Sequence, residues 1–264
     1  MHDAGMGEKP VKITVCEFPD ENPHKESAWA ALVGFLRQSP TDVVILPEMP
    51  FCAWQMFMTR TIDPMVWNAA LAVHDDMIAR CPELNAGVVL SSRPVEKNGK
   101  RLNEAFFWTP ERGYRGVRTK YYLPDEPDGW EASWFARGDR SFTPVAVGPL
   151  TVGFQICTEL LFTEPALEIG RRGAHLIAAP RATGGHRRWN MAACMAAVMS
   201  GCFVASTNRR SYDSGTFAGR SWLVSPEGEI LCETTVDMPY QTVEIDLEEA
   251  AQAKDTYPRN LVTS

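Results

Sequence analysis

Apolar and polar positions alternate along residues 11–17, VKITVCE. Val11, Ile13 and Val15 fall on one side and Lys12 and Thr14 on the other, the period-two signature of a strand. The period then changes. Between 26 and 38, Trp29, Leu32, Val33 and Leu36 recur at i, i+3, i+4 and i+7 and form one apolar stripe on a helix. DVVILPE at 42–48 is a short unbroken apolar run, as a strand covered on both faces requires. Asp63-Pro64 supplies a cap and a first-turn proline for a second helix that runs to about Arg80. AGVVLSS (86–92) and NEAFFWT (103–109) read as strands, and the PERG turn at 110–113 joins the latter to YRGVRTKYY at 114–122.

The same order returns further along. TVGFQIC (151–157) reads as a strand, and Thr163 with Pro165 opens a helix that stops at Arg171-Arg172-Gly173. AHLIAA (174–179) is a strand and 187–200 a Met- and Ala-rich helix. CFVAST (202–207), AGRSWLV (218–224), EILCETT (229–235) and QTVEIDL (241–247) are strands, with a P-E-G turn at 226–228. Apolar strands alternating with helices predict an α/β layered fold. The order β-α-β-α-β-β occurs in each half without visible sequence repetition, and no Gly/Ser-rich linker separates the halves. Residues 9–264 are therefore expected to form one domain of two like halves, with 1–8 as a disordered tail.

Composition narrows the class. The 264 residues are 45% hydrophobic and 22% charged with a net charge of −7, which argues against a nucleic-acid surface and against a disordered chain. Seven cysteines, an odd number with no C-x-x-C spacing, indicate neither a disulfide framework nor a zinc knuckle. Most lie in apolar runs, where a reduced cysteine is a small hydrophobe, and this points to a cytoplasmic compartment. MHDAGMGEKP has no apolar signal-peptide core, and no apolar run is long enough to span a membrane. The five histidines show no metal-ligand spacing, and no G-x-S-x-G or P-loop sequence is present.

Three residues stand out as candidate chemistry. Cys157 sits at a strand-to-helix turn, where a side chain is exposed at the carboxyl edge of a sheet and backbone N–H groups are aimed at it. Glu48 ends the most apolar strand, and a carboxylate there is costly unless paired or used. Lys120 ends another strand. Separately, each has an ordinary structural reading: a core cysteine, a strand-end acid, a solvated lysine. Together they occupy the strand edge where ligands gather in α/β sheets. The chemistry is also coherent. An ordinary thiol, of pKa about 8.5, is only about 3% thiolate near neutral pH, and giving its proton to an ordinary glutamate is uphill by about 5.7 kcal/mol. An adjacent ammonium narrows that gap and stabilises a developing oxyanion.

LPEMPF, RTKYYLP and GFQICTELLFTEP, in this order and spacing, resemble the nitrilase (carbon–nitrogen hydrolase) superfamily, as do APRATGG and STNRRSYDSGTFAGRSWLVSPEGEIL further along. The likeness covers about residues 9–248. It implies a four-layer α-β-β-α sandwich and a Glu–Lys–Cys triad with no metal or organic cofactor. In that reading Glu48 is the base and then the acid, Lys120 stabilises the oxyanion, and Cys157 is the nucleophile. The Thr158 N–H is a second oxyanion donor, and Glu131 in GWEASWFARGD orients the lysine.

The resemblance also frames the substrate. Nitrilases usually show Cys-Trp-Glu, whereas this chain has Cys157-Thr158-Glu159. Phe162-Thr163-Glu164 partly matches the family's amidases, and Leu160-Leu161 replaces the arginines of D-amino-acid carbamoylases. The expectation is a hydrolase of a small amide or carbamoyl compound, with a nitrile hydrolase and a non-catalytic binding member as alternatives. A Cys-His protease is disfavoured because no histidine pairs with Cys157. Trp54 and Arg181 are pocket candidates, the arginine suiting a substrate carboxylate. Glu159 could attract an amine, although in the family its position is more often structural. Specificity is expected in loops 51–60, 123–137 and 181–187, and the family implies a homodimer or larger assembly.

Overall fold

The computed structural model describes residues 10–54, 59–127 and 129–261; the expected tail at 1–8 lies outside them, as do positions 55–58 and 128 of the two longer specificity loops. The first half runs β1 (Val11–Pro19), α1 (Asn22–Gln38), β2 (Val43–Ile45), α2 (Pro64–Ala79), β3 (Val88–Lys97), β4 (Lys100–Thr109) and β5 (Gly113–Thr119). After α3 (Glu131–Trp134) and β6 (Val145–Val147), the second half runs β7 (Leu150–Phe154), α4 (Thr163–Arg171), β8 (Leu176–Arg181), α5 (Arg188–Ser200), β9 (Phe203–Arg210), β10 (Trp222–Val224) and β11 (Ile230–Glu233). β12 (Tyr240–Ile245) and α6 (Leu247–Lys254) follow.

The strands arrange as two similar sheets, β12-β1-β2-β3-β4-β5 and β6-β7-β8-β9-β10-β11, in which each half contributes a parallel trio and an antiparallel pair. The sheets are joined where the end of β1, Glu17–Pro19, pairs in parallel with Asn208–Arg210 of β9. Strand alternation explains the layering. Val43 and Ile45 of β2 pack with Leu176 and Ala178 of β8 in an apolar layer between the sheets. Their neighbours face outward: Val44 and Leu46 pack against Trp29, Leu32 and Leu36 of α1, and Ile177 and Ala179 pack against Ala193 and Ala197 of α5. The result is an α-β-β-α sandwich. Among the described residues, no helix is long and apolar enough to cross a membrane.

Most elements match the apolar periodicity, and the departures have local causes. Asp63 caps α2 by accepting from the Met65 N–H. β3 and β4 are longer than the apolar runs suggest, because Asn98 (φ 53°) and Gly99 (φ 70°) close them into a tight hairpin whose left-handed backbone these residues tolerate. β7 stops at Phe154, before the cysteine expected to end it. The last strand stops at Ile245, and Asp246 caps α6, a helix the alternation pattern does not disclose, by accepting from the Glu248 N–H.

One buried titratable group lies in the core away from the strand edge. His74 of α2 is fully buried against Phe51, and its Nδ1 lies 2.7 Å from the Ala70 carbonyl, so that nitrogen carries the proton and donates. Nε2 has no partner. Burial holds the ring neutral and pulls its pKa from 6.5 down to about 3. The unfolded ring takes up a proton below pH 6.5 and the folded one does not, so stability is lost as pH falls from 6.5 toward 3. Denaturant unfolding at about pH 7 and about pH 4.5 should show His74→Leu losing less stability on acidification than the wild type; equal losses contradict the assignment.

Candidate active site

Glu48 lies three residues beyond β2, in a loop fixed by a long-range ion pair. Arg209 of β9 is fully buried and binds Asp20 Oδ1 through Nη2 at 2.6 Å and Nε at 3.0 Å. The same guanidinium donates to the carbonyls of Glu48 (3.1 Å), Met49 and Cys52, and Asp20 Oδ1 also accepts from the Trp54 N–H at 3.0 Å. One charge-assisted cluster therefore gathers the backbone of 48–54 around a single point. The Glu48 N–H donates to the Arg181 carbonyl at 3.3 Å, tying the loop to the end of β8.

Lys120 lies one residue beyond β5, where its N–H still donates to the Asn103 carbonyl of β4 at 2.8 Å. On its other side, the Gly138 N–H donates to the Lys120 carbonyl at 3.0 Å. Only glycine permits this approach, since a Cβ at 138 would lie 2.3 Å from the Thr119 carbonyl oxygen. The docked segment 131–138 delivers Glu131, the first residue of α3, to the lysine. Lys120 Nζ lies 2.8 and 2.9 Å from the Glu131 oxygens and 2.8 Å from Glu48 Oε1. Asn103 Nδ2 donates to the same Glu48 oxygen at 2.8 Å. Glu48 Oε2 is buried with no hydrogen-bond partner.

Cys157 opens a short 3-10 turn, Cys157–Leu161, three residues after β7. The chain leaves the sheet because the Ile156 N–H donates to Glu159 Oε2 at 2.8 Å and Gln155 Nε2 donates to the carbonyls of Glu159 and Phe162. Glu159 is in turn gripped by Arg118 at 2.5 and 2.9 Å and by the Tyr121 N–H at 2.7 Å. It is thus a clamp joining the cysteine turn to the lysine strand, with both oxygens engaged. Cys157 has φ 50°, a left-handed conformation that costs a non-glycine residue free energy and persists only where its surroundings impose it.

The electrostatics follow from one ammonium held between two carboxylates. Burial alone would lower the Lys120 pKa, but Glu131 and Glu48 outweigh it and hold it above the ordinary value. Burial lifts the Glu131 carboxyl above its usual range against the pull of Lys120. Burial, and then the Glu48 carboxylate, push the Cys157 thiol up, opposed by Lys120 and by a backbone hydrogen bond from Ala182. Burial and the Glu48 charge thus favour the neutral thiol over the thiolate at Cys157.

The sequence matches the carbon–nitrogen hydrolase family over residues 19–255. The chain belongs to that family. Human omega-amidase NIT2 is 26% identical over 235 residues, covering 85% of each chain. Among solved structures, a carbon–nitrogen hydrolase from Helicobacter pylori G27 superimposes with a TM-score of 0.82 at 21% identity, over 96% of this chain and 94% of that one. An amidase from Nesterenkonia sp. gives 0.73 at 18% identity, over 94% and 96%. A variant of that amidase is described with covalent addition of the acetamide moiety of fluoroacetamide at its active site cysteine.

In this carbon–nitrogen hydrolase the two sheets bring Glu48, Lys120, Glu131 and Cys157 together. Thr158 follows the cysteine in the 3-10 turn and is half-buried. Trp54 is buried in an aromatic and apolar cluster with Phe217, Trp134 and Leu123, beside Arg209. Arg181 departs from expectation. It shares the parity of Ile177 and Ala179 on β8, so its side chain turns to the helix layer and bonds Ser206 Oγ, Thr183 Oγ1 and the Arg220 carbonyl. It lines a cavity whose walls include none of the four. Asn103 and the Asp20–Arg209 pair escape sequence reading, because their partners lie 55 to 189 residues away. Among the described residues, no group of three or more His, Cys, Asp or Glu could hold a metal ion.

A buried neutral thiol makes a specific prediction for alkylation. The iodoacetamide reaction at Cys157, followed by peptide mass spectrometry, should accelerate with pH from about 7 to beyond about 9 without levelling. A rate already at its plateau near neutrality contradicts this assignment.

Proposed function

We propose that the chain is a cysteine-dependent hydrolase of a small carboxamide or carbamoyl compound. The observation that carries this reading is the division of labour within one carboxylate: Glu48 Oε1 is anchored by Lys120 and Asn103, while Oε2 is buried and free to accept a proton. Cys157 Sγ attacks the carbonyl carbon as its proton passes to Glu48 Oε2. The carbonyl oxygen becomes an oxyanion, stabilised by the Lys120 ammonium and the Thr158 N–H. When the tetrahedral intermediate collapses, the C–N bond breaks and Glu48 returns the proton to the departing nitrogen, releasing ammonia or an amine. Water then attacks the thioester, again giving a proton to Glu48, and collapse of the second intermediate frees the carboxylic acid and reprotonates Sγ.

Glu131 acts through the lysine, keeping it charged and aimed. Cys157-Thr158-Glu159 in place of Cys-Trp-Glu, with Phe162-Thr163-Glu164 beyond it, supports an amide over a nitrile, as do the names omega-amidase and amidase carried by the relatives.

The test is ammonia or amine release from a panel of short carboxamides, ureido compounds and matched nitriles. Hydrolysis of at least one amide or ureido compound is expected, abolished in Cys157→Ala and lowered by about a hundredfold or more in Glu48→Gln. Full activity of either variant, or turnover of nitriles alone, contradicts the reading.

A further inference from the structure

Arg181 is a buried cation whose three hydrogen-bond acceptors are all neutral: Ser206 Oγ at 2.7 Å, Thr183 Oγ1 at 2.6 Å and the Arg220 carbonyl at 2.7 Å. These bonds use one N–H on each nitrogen, which leaves a further N–H on both terminal nitrogens. No carboxylate bonds it directly, and burial draws the Arg181 pKa down to about 9 against the weaker pull of the Cys157 and Glu17 side chains nearby. Beneath it lies Trp222, its ring 4.2 Å from the guanidinium carbon. The indole is buried, and its Nε1–H has no acceptor. A buried donor left unpaired costs free energy as well. Two unsatisfied features at one place call for the same thing, a negatively charged acceptor.

Space for one exists. Arg181 and Trp222 line a cavity of about 380 Å³, walled also by Arg187, Arg220 and Asn190 and by Glu233. The one carboxylate here, Glu233, is paired with Arg220 Nε, so it answers that arginine and leaves Arg181 and Arg187. Asn190 belongs to the first turn of α5, whose positive end adds to the field.

We propose that this cavity binds the oxyanion end of a small molecule, a carboxylate or phosphate group seated between Arg181, Arg187 and the Trp222 N–H. Two features set it apart from the catalytic centre. Arg181 and Trp222 reach it from the helix face of the second sheet, with loops 184–187 and 218–220 as further walls, and none of Glu48, Lys120, Glu131 or Cys157 lines it. Yet the occupant sits close to that centre in the chain. The Arg181 carbonyl accepts from the Glu48 N–H, and the next residue, Ala182, gives its N–H to the Cys157 thiol.

Calorimetric titration with inorganic phosphate and, separately, succinate tests the assignment. Saturable binding of at least one anion is expected, and which one distinguishes a phosphate from a carboxylate occupant. Binding should persist in Cys157→Ala with its thiol removed, and after wild-type Cys157 has been blocked by iodoacetamide. Trp222→Phe keeps the ring but removes the donor, and should weaken binding by about tenfold. Arg187→Gln, at an exposed position that leaves the core intact, should weaken it by about threefold. The proposal is overturned if neither anion binds, if blocking Cys157 abolishes binding, or if Arg187→Gln and a folded Trp222→Phe both bind as the wild type does.

Discussion

The site depends on a single ammonium shared by two carboxylates in the interior. Lys120 Nζ lies within 2.9 Å of three oxygens, two from Glu131 and one from Glu48, and all three side chains are buried. Removing such charges from water is expensive, and their attraction offsets that cost only when the geometry is good and the remaining hydrogen-bonding groups are satisfied. Here the satisfaction is deliberately incomplete. Asn103 and Lys120 hold one oxygen of Glu48, and the other has nothing to bond to. That vacancy is unfavourable for the resting fold, and in the proposed reaction it is what makes the carboxylate a base.

The fold supplies the rigidity that this arrangement requires. Glu48 and Lys120 leave strands of the first sheet and Cys157 leaves a strand of the second, so the site exists only when the two halves are packed together. Two buried ion pairs pin the loops that carry Glu48 and Cys157. Asp20–Arg209 gathers the Glu48 loop, and Arg118–Glu159 joins the Cys157 turn to the end of β5. Gly138 lets the segment bearing Glu131 lie directly on Thr119 and Lys120. These are tertiary devices, and each substitutes for the regular backbone bonding the loops lack.

Much of this was legible in the chain because apolar periodicity governs the layers. Val43 through Leu46 alternate between the inter-sheet layer and the helix layer, as a continuous apolar run buried on both faces must. The three residues of the triad were visible as polar side chains at the ends of such runs. Other features were hidden for identifiable reasons. The exit of the chain at Phe154 is driven by side-chain bonds from Gln155 and Glu159, which carry no periodic signal. Asn103 looks like any polar residue of a strand until Glu48, 55 residues away, is placed beside it. Arg181 lies beyond the apolar run 174–179, and only the extension of β8 to Arg181 gives it the parity of Ile177 and Ala179 and so the helix face. The alternation of QTVEIDL runs on through Asp246 and hides α6, whose start is set by that side chain accepting from the Glu248 N–H.

The most direct test of the shared-ammonium account is the pH dependence of stability in Lys120→Met. Burial raises the Glu131 carboxyl and Lys120 opposes that rise, so removing the ammonium should raise it further. A carboxyl whose folded pKa lies above its unfolded value contributes stability that is intact at low pH and is lost as pH rises through the folded pKa. Compared with the wild type by denaturant unfolding, Lys120→Met should therefore be close in stability near about pH 4 and fall behind progressively toward about pH 8. A difference between the two proteins that stays constant across that range, or narrows as pH rises, would contradict the account.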